Sequence, residues 1–395
     1  MIRMSQRVAP FGTTIFSEIN TLARQHNAIN LGQGAPDFDS PPEVLAAAVA
    51  ALHNNANQYA PGLGYLSVRQ AVADHARRFY GQQVDPETEV AITAGATEAM
   101  LAAILGLLDV GDEAILFQPA FDSYTPQMRM AGVIPRYVTL HAPGWTFDPA
   151  ELAAAFSDKT RAVILNTPNN PTGKAFSRAE LETIAELCRR HDVIALTDEV
   201  YEHLMYDGVE HVRLATLPGM AERTLTISSL GKTFSVTGWK IGWVIGPAEL
   251  VAGVIRAHQF NTFAVASPLQ LAGATALALP DSYYIQLTAD FQRRRDLMQG
   301  VLQRVGFQTW QPHGGYFVVA QWRPVAPEGI ADDMAFTHWL IKTVGVACIP
   351  VSYFYEESER AAHSDWVRFA VCKTDATLNA AVERLEHLLV TLRAQ

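Results

Sequence analysis

Cysteine is nearly absent: the 395 residues contain three, Cys188, Cys348 and Cys372. They are too few and too scattered for a disulfide scaffold, and none sits in a CxxC pair or a Cys/His ladder, which removes a structural zinc site. Long apolar stretches are also missing. No run approaches the roughly 18 residues needed to span a bilayer. The start, Met1-Ile-Arg-Met-Ser-Gln-Arg7, carries no apolar core of a secretory leader behind it. Basic blocks are absent and the formal net charge is −10, so neither nucleic acid nor a membrane is an expected partner. These absences describe a reduced, cytoplasmic protein. Two glycine-rich fingerprints are missing as well: no GxxxxGK[ST] follows a strand and no GxGxxG opens a helix, which takes away the main support for a P-loop or a dinucleotide site. Lysine is scarce, with Lys159, Lys174, Lys232, Lys240, Lys342 and Lys373 the whole set.

What is present is apolar residue in quantity, 49% of the chain. That excludes wholesale disorder, and the length allows about two to three domains. Helical periodicity marks 17–25, 42–52, 66–80, 97–108 and 177–191. Short continuous apolar runs mark strands at 90–93, 114–117, 162–165, 193–196 and 225–227. Runs that do not alternate belong to strands buried on both faces, and strand–helix alternation predicts an α/β fold with a mostly parallel sheet covered by helices on both sides. Beyond residue 281 the texture changes. A long helix (282–305), a β-rich stretch (306–321), a helix (332–343), strands at 346–349 and 366–371 and a last helix (374–392) predict a smaller α+β domain. The expected units are an N-terminal segment 1–40 that joins the small domain, a large domain 41–281 and a C-terminal small domain 282–395.

Open α/β sheets bind ligands at the carboxyl ends of their strands, so the residues just after each apolar run carry the information. Thr93-Ala-Gly-Ala-Thr-Glu-Ala99 offers free N–H groups at a helix start for a phosphate or carboxylate; an ordinary βα turn reads the same way. Asp198 ends a buried strand, where a lone carboxylate is costly; Tyr201 follows three residues on. An N-cap or a salt bridge would also explain Asp198. Lys232, in the small, neutral stretch Ser228 to Lys240, fits a desolvated amine of the kind that forms Schiff bases; a surface lysine is the alternative. Lys240 nearby suits a phosphate. Pro168-Asn-Asn-Pro-Thr-Gly-Lys174 is a turn by composition, yet it puts Asn170 at the crevice mouth. Arg368, set among apolar residues in Trp366 to Val371, asks for a carboxylate or a structural ion pair. Taken jointly these groups match what pyridoxal phosphate needs to handle an amino acid.

Four segments, Asn166-Thr-Pro-Asn-Asn-Pro-Thr-Gly-Lys174, Thr197-Asp-Glu-Val-Tyr201, Ser228 to Lys240 and Val367-Arg-Phe369, occur in the order found in the class I aminotransferases of the pyridoxal phosphate fold type I. The chain resembles that family over essentially its full length. Leu31 to Phe38, Pro119 to Tyr124 and His258 to Phe263 are most similar to methionine aminotransferases and kynurenine–oxoglutarate transaminases. The resemblance implies a large domain with a mostly parallel seven-stranded sheet plus a smaller α+β domain, a homodimer with shared active sites, and ping-pong transfer from an amino acid to a 2-oxo acid. It implies that Lys232 forms the internal aldimine, Asp198 pairs with the pyridinium nitrogen, Tyr201 and Asn170 bond the ring 3-oxygen, and Phe121 stacks on the ring. Ala96, Thr97, Ser229 and Lys240 would hold the phosphate, with Tyr59 reaching in from the partner subunit. Arg368, Asn170 and the Gly34 N–H would hold the substrate carboxylate; Phe16, and Phe263 from the partner, would line the side-chain pocket. The lining and the lack of a second substrate-binding arginine favour an apolar, thioether or aromatic donor, methionine-like. Kynurenine transamination or β-elimination from cysteine conjugates is the alternative, and a non-catalytic ligand-sensing relative the reading from another class.

Overall fold

The computed structural model describes residues 3–393; the first two and last two residues of the expected terminal units lie outside the described residues. Seven strands form the central sheet: β1 (Val90–Thr93), β2 (Glu113–Gln118), β3 (Ile134–Thr139), β4 (Thr160–Asn166), β5 (Ile194–Asp198), β6 (Thr224–Ser229) and β7 (Gly242–Ile245). Their order is β1-β7-β6-β5-β4-β2-β3. β7 runs antiparallel to both neighbours and every other pairing is parallel.

Four of the five apolar runs become buried inner strands and the fifth, 90–93, becomes the covered edge strand β1; successive side chains point to opposite faces and both faces are covered. Ala114, Leu116, Ala162 and Ile164 pack with Ala99, Ala103, Met128 and Val254 on one side. Ile115, Phe117, Val163 and Leu165 pack with Leu181, Ile184 and Cys188 on the other. Ser177 starts the helix Arg178–His191 with a reciprocal cap: its Oγ accepts from the Glu180 N–H while the Glu180 carboxylate accepts from the Ser177 N–H.

The helix Asp281–Val305 leads out of this layer to a four-stranded antiparallel sheet in the order Ile349–Pro350, Trp366–Ala370, Phe317–Gln321, Gln308–Thr309. The N-terminal residues pack here. Ile29–Asn30 pairs in parallel with Val346–Ala347. Ile15, Ile19 and Ala23 of the helix Ile15–Gln25 bury against Ile341, Ile349 and Phe354.

Several expected elements change form. The single strand over 346–349 is two short strands in different sheets, broken at Cys348. The helix over 332–343 is α-helical only across Asp333–Trp339 and then widens into a π turn, Leu340–Val344. The β-rich stretch 306–321 holds two strands, with Trp310–Tyr316 between them left irregular. Strands β3 and β7 and the helices Tyr124–Ala131, Ala248–Asn261 and Ser267–Leu277 were not anticipated.

Candidate active site

The carboxyl ends of β4, β5 and β6, the turn after β2 and the helix that follows β1 surround one cavity of about 240 Å³. Nine of the residues singled out in the sequence line it: Ala96, Thr97, Phe121, Asn170, Asp198, Tyr201, Ser229, Lys232 and Lys240.

Asp198 is the last residue of β5. Its carboxylate accepts from Tyr124 Oη at 2.6 Å and from the Val200 N–H at 3.3 Å. Burial pushes its pKa up, against the pull of those two hydrogen bonds. It makes no salt bridge among the described residues, so a protonated ring nitrogen has a place to go.

At the opposite end the helix Gly95–Leu107 starts without a side-chain cap, leaving N–H groups turned to an anion. The backbone of β7 is pressed against this start: a Cβ on Gly242 would lie 2.6 Å from the Gly95 carbonyl carbon and 2.8 Å from the Ala96 nitrogen. Lys240 sits in the left-handed region, φ 54°, and its ammonium lies 3.1 Å from where a Cβ on Gly95 would be. Free amides, the Lys240 cation and the Thr97 and Ser229 hydroxyls make a donor set for a phosphate, with no carboxylate in the cavity lining at that end. Asp198 at one end, Lys232 between and this cradle at the other fit pyridoxal phosphate.

Lys232 lies on the short turn Leu230–Thr233 after β6 and donates from Nζ to Tyr316 Oη at 2.7 Å. Burial pushes its pKa down to about 8, so about one-tenth of the amine is neutral at pH 7, far more than for an ordinary lysine.

Arg368 is the third residue of the strand Trp366–Ala370 and is 1% exposed. Nη1 donates to Asn170 Oδ1 at 2.6 Å, Nη2 to the Gly32 carbonyl at 2.7 Å, and Nε has no partner. The guanidinium lies 3.9 Å from the Phe317 ring centre, 5.0 Å from Phe354 and 5.3 Å from Phe16. Burial pushes its pKa down to about 10, still charged at neutral pH. It forms no ion pair among the described residues, and a buried cation in that condition calls for an anionic ligand. Gly34 lies beside it, where a Cβ would come within 2.9 Å of both the Tyr316 and Phe317 rings.

Phe16 therefore meets Arg368, while Tyr59 and Phe263 do not reach this cavity within the single chain. They pack edge to face, 5.1 Å apart, on the surface, 82% and 55% exposed. Sequence reasoning missed Tyr124, Tyr316, Phe317 and Phe354, and gave Asn166, though it opens the segment Asn166 to Lys174, no role of its own. Asn166 is the terminal residue of its strand, the position already weighed for Asp198. Tyr316 and Phe317 follow the pair Gly314-Gly315, a signal passed over because the stretch was read only as strand.

Residues 26–385 match the family described as aminotransferase class I and II. The chain is 44% identical to the N-succinyldiaminopimelate aminotransferase of Mycobacterium tuberculosis, whose structure superposes with a TM-score of 0.94 over 98% of this chain and 100% of that one. A structure from Escherichia coli, described with a methionine aminotransferase function, superposes with a TM-score of 0.93 at 37% identity over 98% and 100%. Human kynurenine–oxoglutarate transaminase 1 is 40% identical over 95% of this chain and 96% of its own length. No helix among the described residues is long and apolar enough to cross a membrane. Strand ends, anion cradle, buried lysine and family match agree: the chain belongs to the class I and II aminotransferases and is a pyridoxal phosphate-dependent transaminase acting on amino and 2-oxo acids.

Proposed function

We propose that this transaminase takes its amino group from an apolar, thioether or aromatic L-amino acid of methionine-like shape. The observation that carries this is the ring wall of Phe16, Phe317 and Phe354 around Arg368. The guanidinium and Asn170, with the Gly34 N–H, take the α-carboxylate, and the rings beside them favour a thioether or aromatic group over a second charge. When bound, pyridoxal phosphate supplies an electron sink for the pair left on the α-carbon. Lys232 Nζ carries the proton between substrate and cofactor. Asp198 would pair with the ring nitrogen, Tyr201 and Asn170 would bond the ring 3-oxygen, Phe121 would cover the ring face, and Ala96, Thr97, Ser229 and Lys240 would hold the phosphate.

A second reading has its own observation. A groove of about 500 Å³ opens beside Phe16 along one face of the helix Ile15–Gln25, with Asn20 and then Arg24 at its far side. That cation suits a long donor with a distal carboxylate, such as the N-succinyldiaminopimelate named for the mycobacterial relative. The 40% identical kynurenine–oxoglutarate transaminase supports kynurenine as a further donor, and β-elimination from cysteine conjugates would start from the same loss of the α-proton. A panel of methionine, phenylalanine, kynurenine and N-succinyldiaminopimelate against several 2-oxo acids, read by chromatography, tests the assignment. A clear preference for N-succinyldiaminopimelate overturns the methionine-like reading; pyruvate and ammonia released from a cysteine conjugate without acceptor reveal elimination.

Replacing Arg368 with alanine is expected to raise KM for the amino donor about 100-fold, since two charge-assisted hydrogen bonds to the α-carboxylate are lost, with a much smaller change in kcat. Steady-state kinetics checks this split.

The working unit we propose is a homodimer in which Tyr59 and Phe263 reach the partner's site. Tyr59 and Phe263 in edge-to-face contact, Phe260, and Leu45, Val49 and Leu52 on the outer face of the helix Pro42–His53 are exposed apolar side chains suited to burial against a second copy. Light scattering is expected to give twice the chain mass of 43.3 kDa. In the same way we take the segment before residue 41 as part of the unit formed by residues 282–395.

A further inference from the structure

We propose that Tyr316 is a positioning residue for the reaction: its hydroxyl holds the released amine of Lys232 with the nitrogen lone pair left open, and ties that amine to the backbone that borders Arg368. The proposal rests on the role given to Lys232 above.

Tyr316 Oη lies at 2.7 Å from both Lys232 Nζ and the Gly34 carbonyl, with the Tyr201 hydroxyl as a further polar neighbour. A carbonyl can only accept, so the single phenolic proton goes to Gly34 and the lysine nitrogen must donate into the phenolic oxygen. Burial pushes the Tyr316 pKa well above its usual value, so the phenol keeps that proton throughout the working pH range. An amine held this way spends an N–H on its neighbour and keeps its electron pair for the α-proton. The opposite arrangement, with the phenol donating to nitrogen, would occupy the pair and make a weaker base. The proton step balances: the α-carbon–hydrogen bond breaks, a nitrogen–hydrogen bond forms at Nζ, and the electron pair passes into the bound cofactor.

The ring itself has no freedom to leave. Tyr316 is fully buried, edge to face with Tyr201 at 5.0 Å and stacked on Phe291 at 6.0 Å. The backbone it anchors is held on either side by two cations: Arg368 takes the Gly32 carbonyl and Lys373 the Ala35 carbonyl, at 2.7 and 2.6 Å. Tyr316 thus connects the proton carrier to the segment that lies against the carboxylate clamp.

Tyr316→Phe removes one oxygen and keeps the ring. In the cofactor-free full-length chain, acetylation of Lys232 by acetic anhydride is followed by mass spectrometry from about pH 6 to about pH 10, around the amine's titration. The wild-type midpoint should fall near about 8. The ammonium loses an acceptor in the variant, so the midpoint should move down and labelling at pH 7 should become about threefold faster. In the cofactor-loaded variant, single-turnover reaction with α-deuterated methionine should show a rate about tenfold lower and a larger deuterium isotope effect, as a misdirected lone pair makes proton transfer more limiting. Donor affinity should change little. A midpoint or an isotope effect that stays at the wild-type value overturns the proposal, provided circular dichroism shows an unchanged fold. Borohydride trapping of cofactor on Lys232 in the same variant keeps the two readings apart: trapping intact with an unmoved midpoint discards Tyr316 alone, and trapping lost from wild type as well discards Lys232.

Discussion

Lys232→Ala is expected to lower amino-group transfer by about 10⁴-fold, the upper range for removing a positioned acid–base group. The substitution takes away the one side chain in the cavity whose nitrogen is both central and partly neutral. Its pKa is pushed down to about 8 by burial, and at neutral pH its charged form sits in a site that disfavours charge. The sign for stability follows. A lysine whose folded pKa lies below its unfolded value weakens the folded state while it stays charged in water, and the penalty fades as pH rises toward the unfolded value. The alanine variant should therefore keep its fold while losing its chemistry. Stopped-flow kinetics and thermal unfolding of the same preparation check both halves; a variant that turns over at more than about one-tenth of the wild-type rate is incompatible with the role.

Asp198→Asn is the second large effect, about 10³-fold in kcat, comparable to deleting a preorganised charge-stabilising group in a water-excluded site. Asparagine keeps the shape and can still meet Tyr124, so the loss comes from charge. The cofactor-free protein should respond in the other direction. Burial raises the Asp198 pKa, so the carboxylate stabilises the fold while protonated, below its unfolded pKa, and that contribution is lost as pH rises through the folded pKa. Above the folded pKa the ionised group is a net cost to the empty protein, and there the variant should melt at the same temperature or higher. A drop in both activity and cofactor-free melting temperature would mean that Asp198 is structural. Such opposition between stability and activity is the pattern expected of a group retained for function.

The sequence made the centre of the site legible because its chemistry is compressed into strand ends. Asp198, Ser229 and the Asn166–Lys174 loop each follow an apolar run, and buried inner strands advertise themselves by such runs. Strand β3 escaped because, unlike the covered edge β1, it is a half-exposed edge: Ile134, Arg136 and Val138 face one way and Pro135, Tyr137 and Thr139 the other, and only Val138 is buried. An edge needs no continuous apolar run, and it tolerates proline. Strand β7, Gly242-Trp-Val-Ile245, is as long as the run 90–93 that was read as a strand, but glycine at its head and Gly246 just past its end leave only three apolar side chains between turn residues. Its reversed direction has no mark in sequence at all.

The side chains that touch Asp198, Lys232 and Arg368 were illegible for a different reason. Tyr124 and Tyr316 reach Asp198 and Lys232 from 74 and 84 residues away, and a tyrosine in an apolar stretch is ordinarily core. The aromatic cage of Arg368 draws Phe16, Phe317 and Phe354 from three separate segments; only Phe16 was singled out, and by resemblance. The clamp itself was visible, because an arginine flanked by apolar residues has to be explained.

In the proposed mechanism the Lys232 nitrogen carries the cofactor covalently. Borohydride reduction of the pyridoxal phosphate-loaded protein, followed by peptide mass mapping, tests it directly. The expected result is a phosphopyridoxyl mass on the peptide containing Lys232 and on no other lysine peptide. A protein that stays colourless with the cofactor and yields no modified Lys232 peptide, or carries the mass on Lys240 instead, would contradict it.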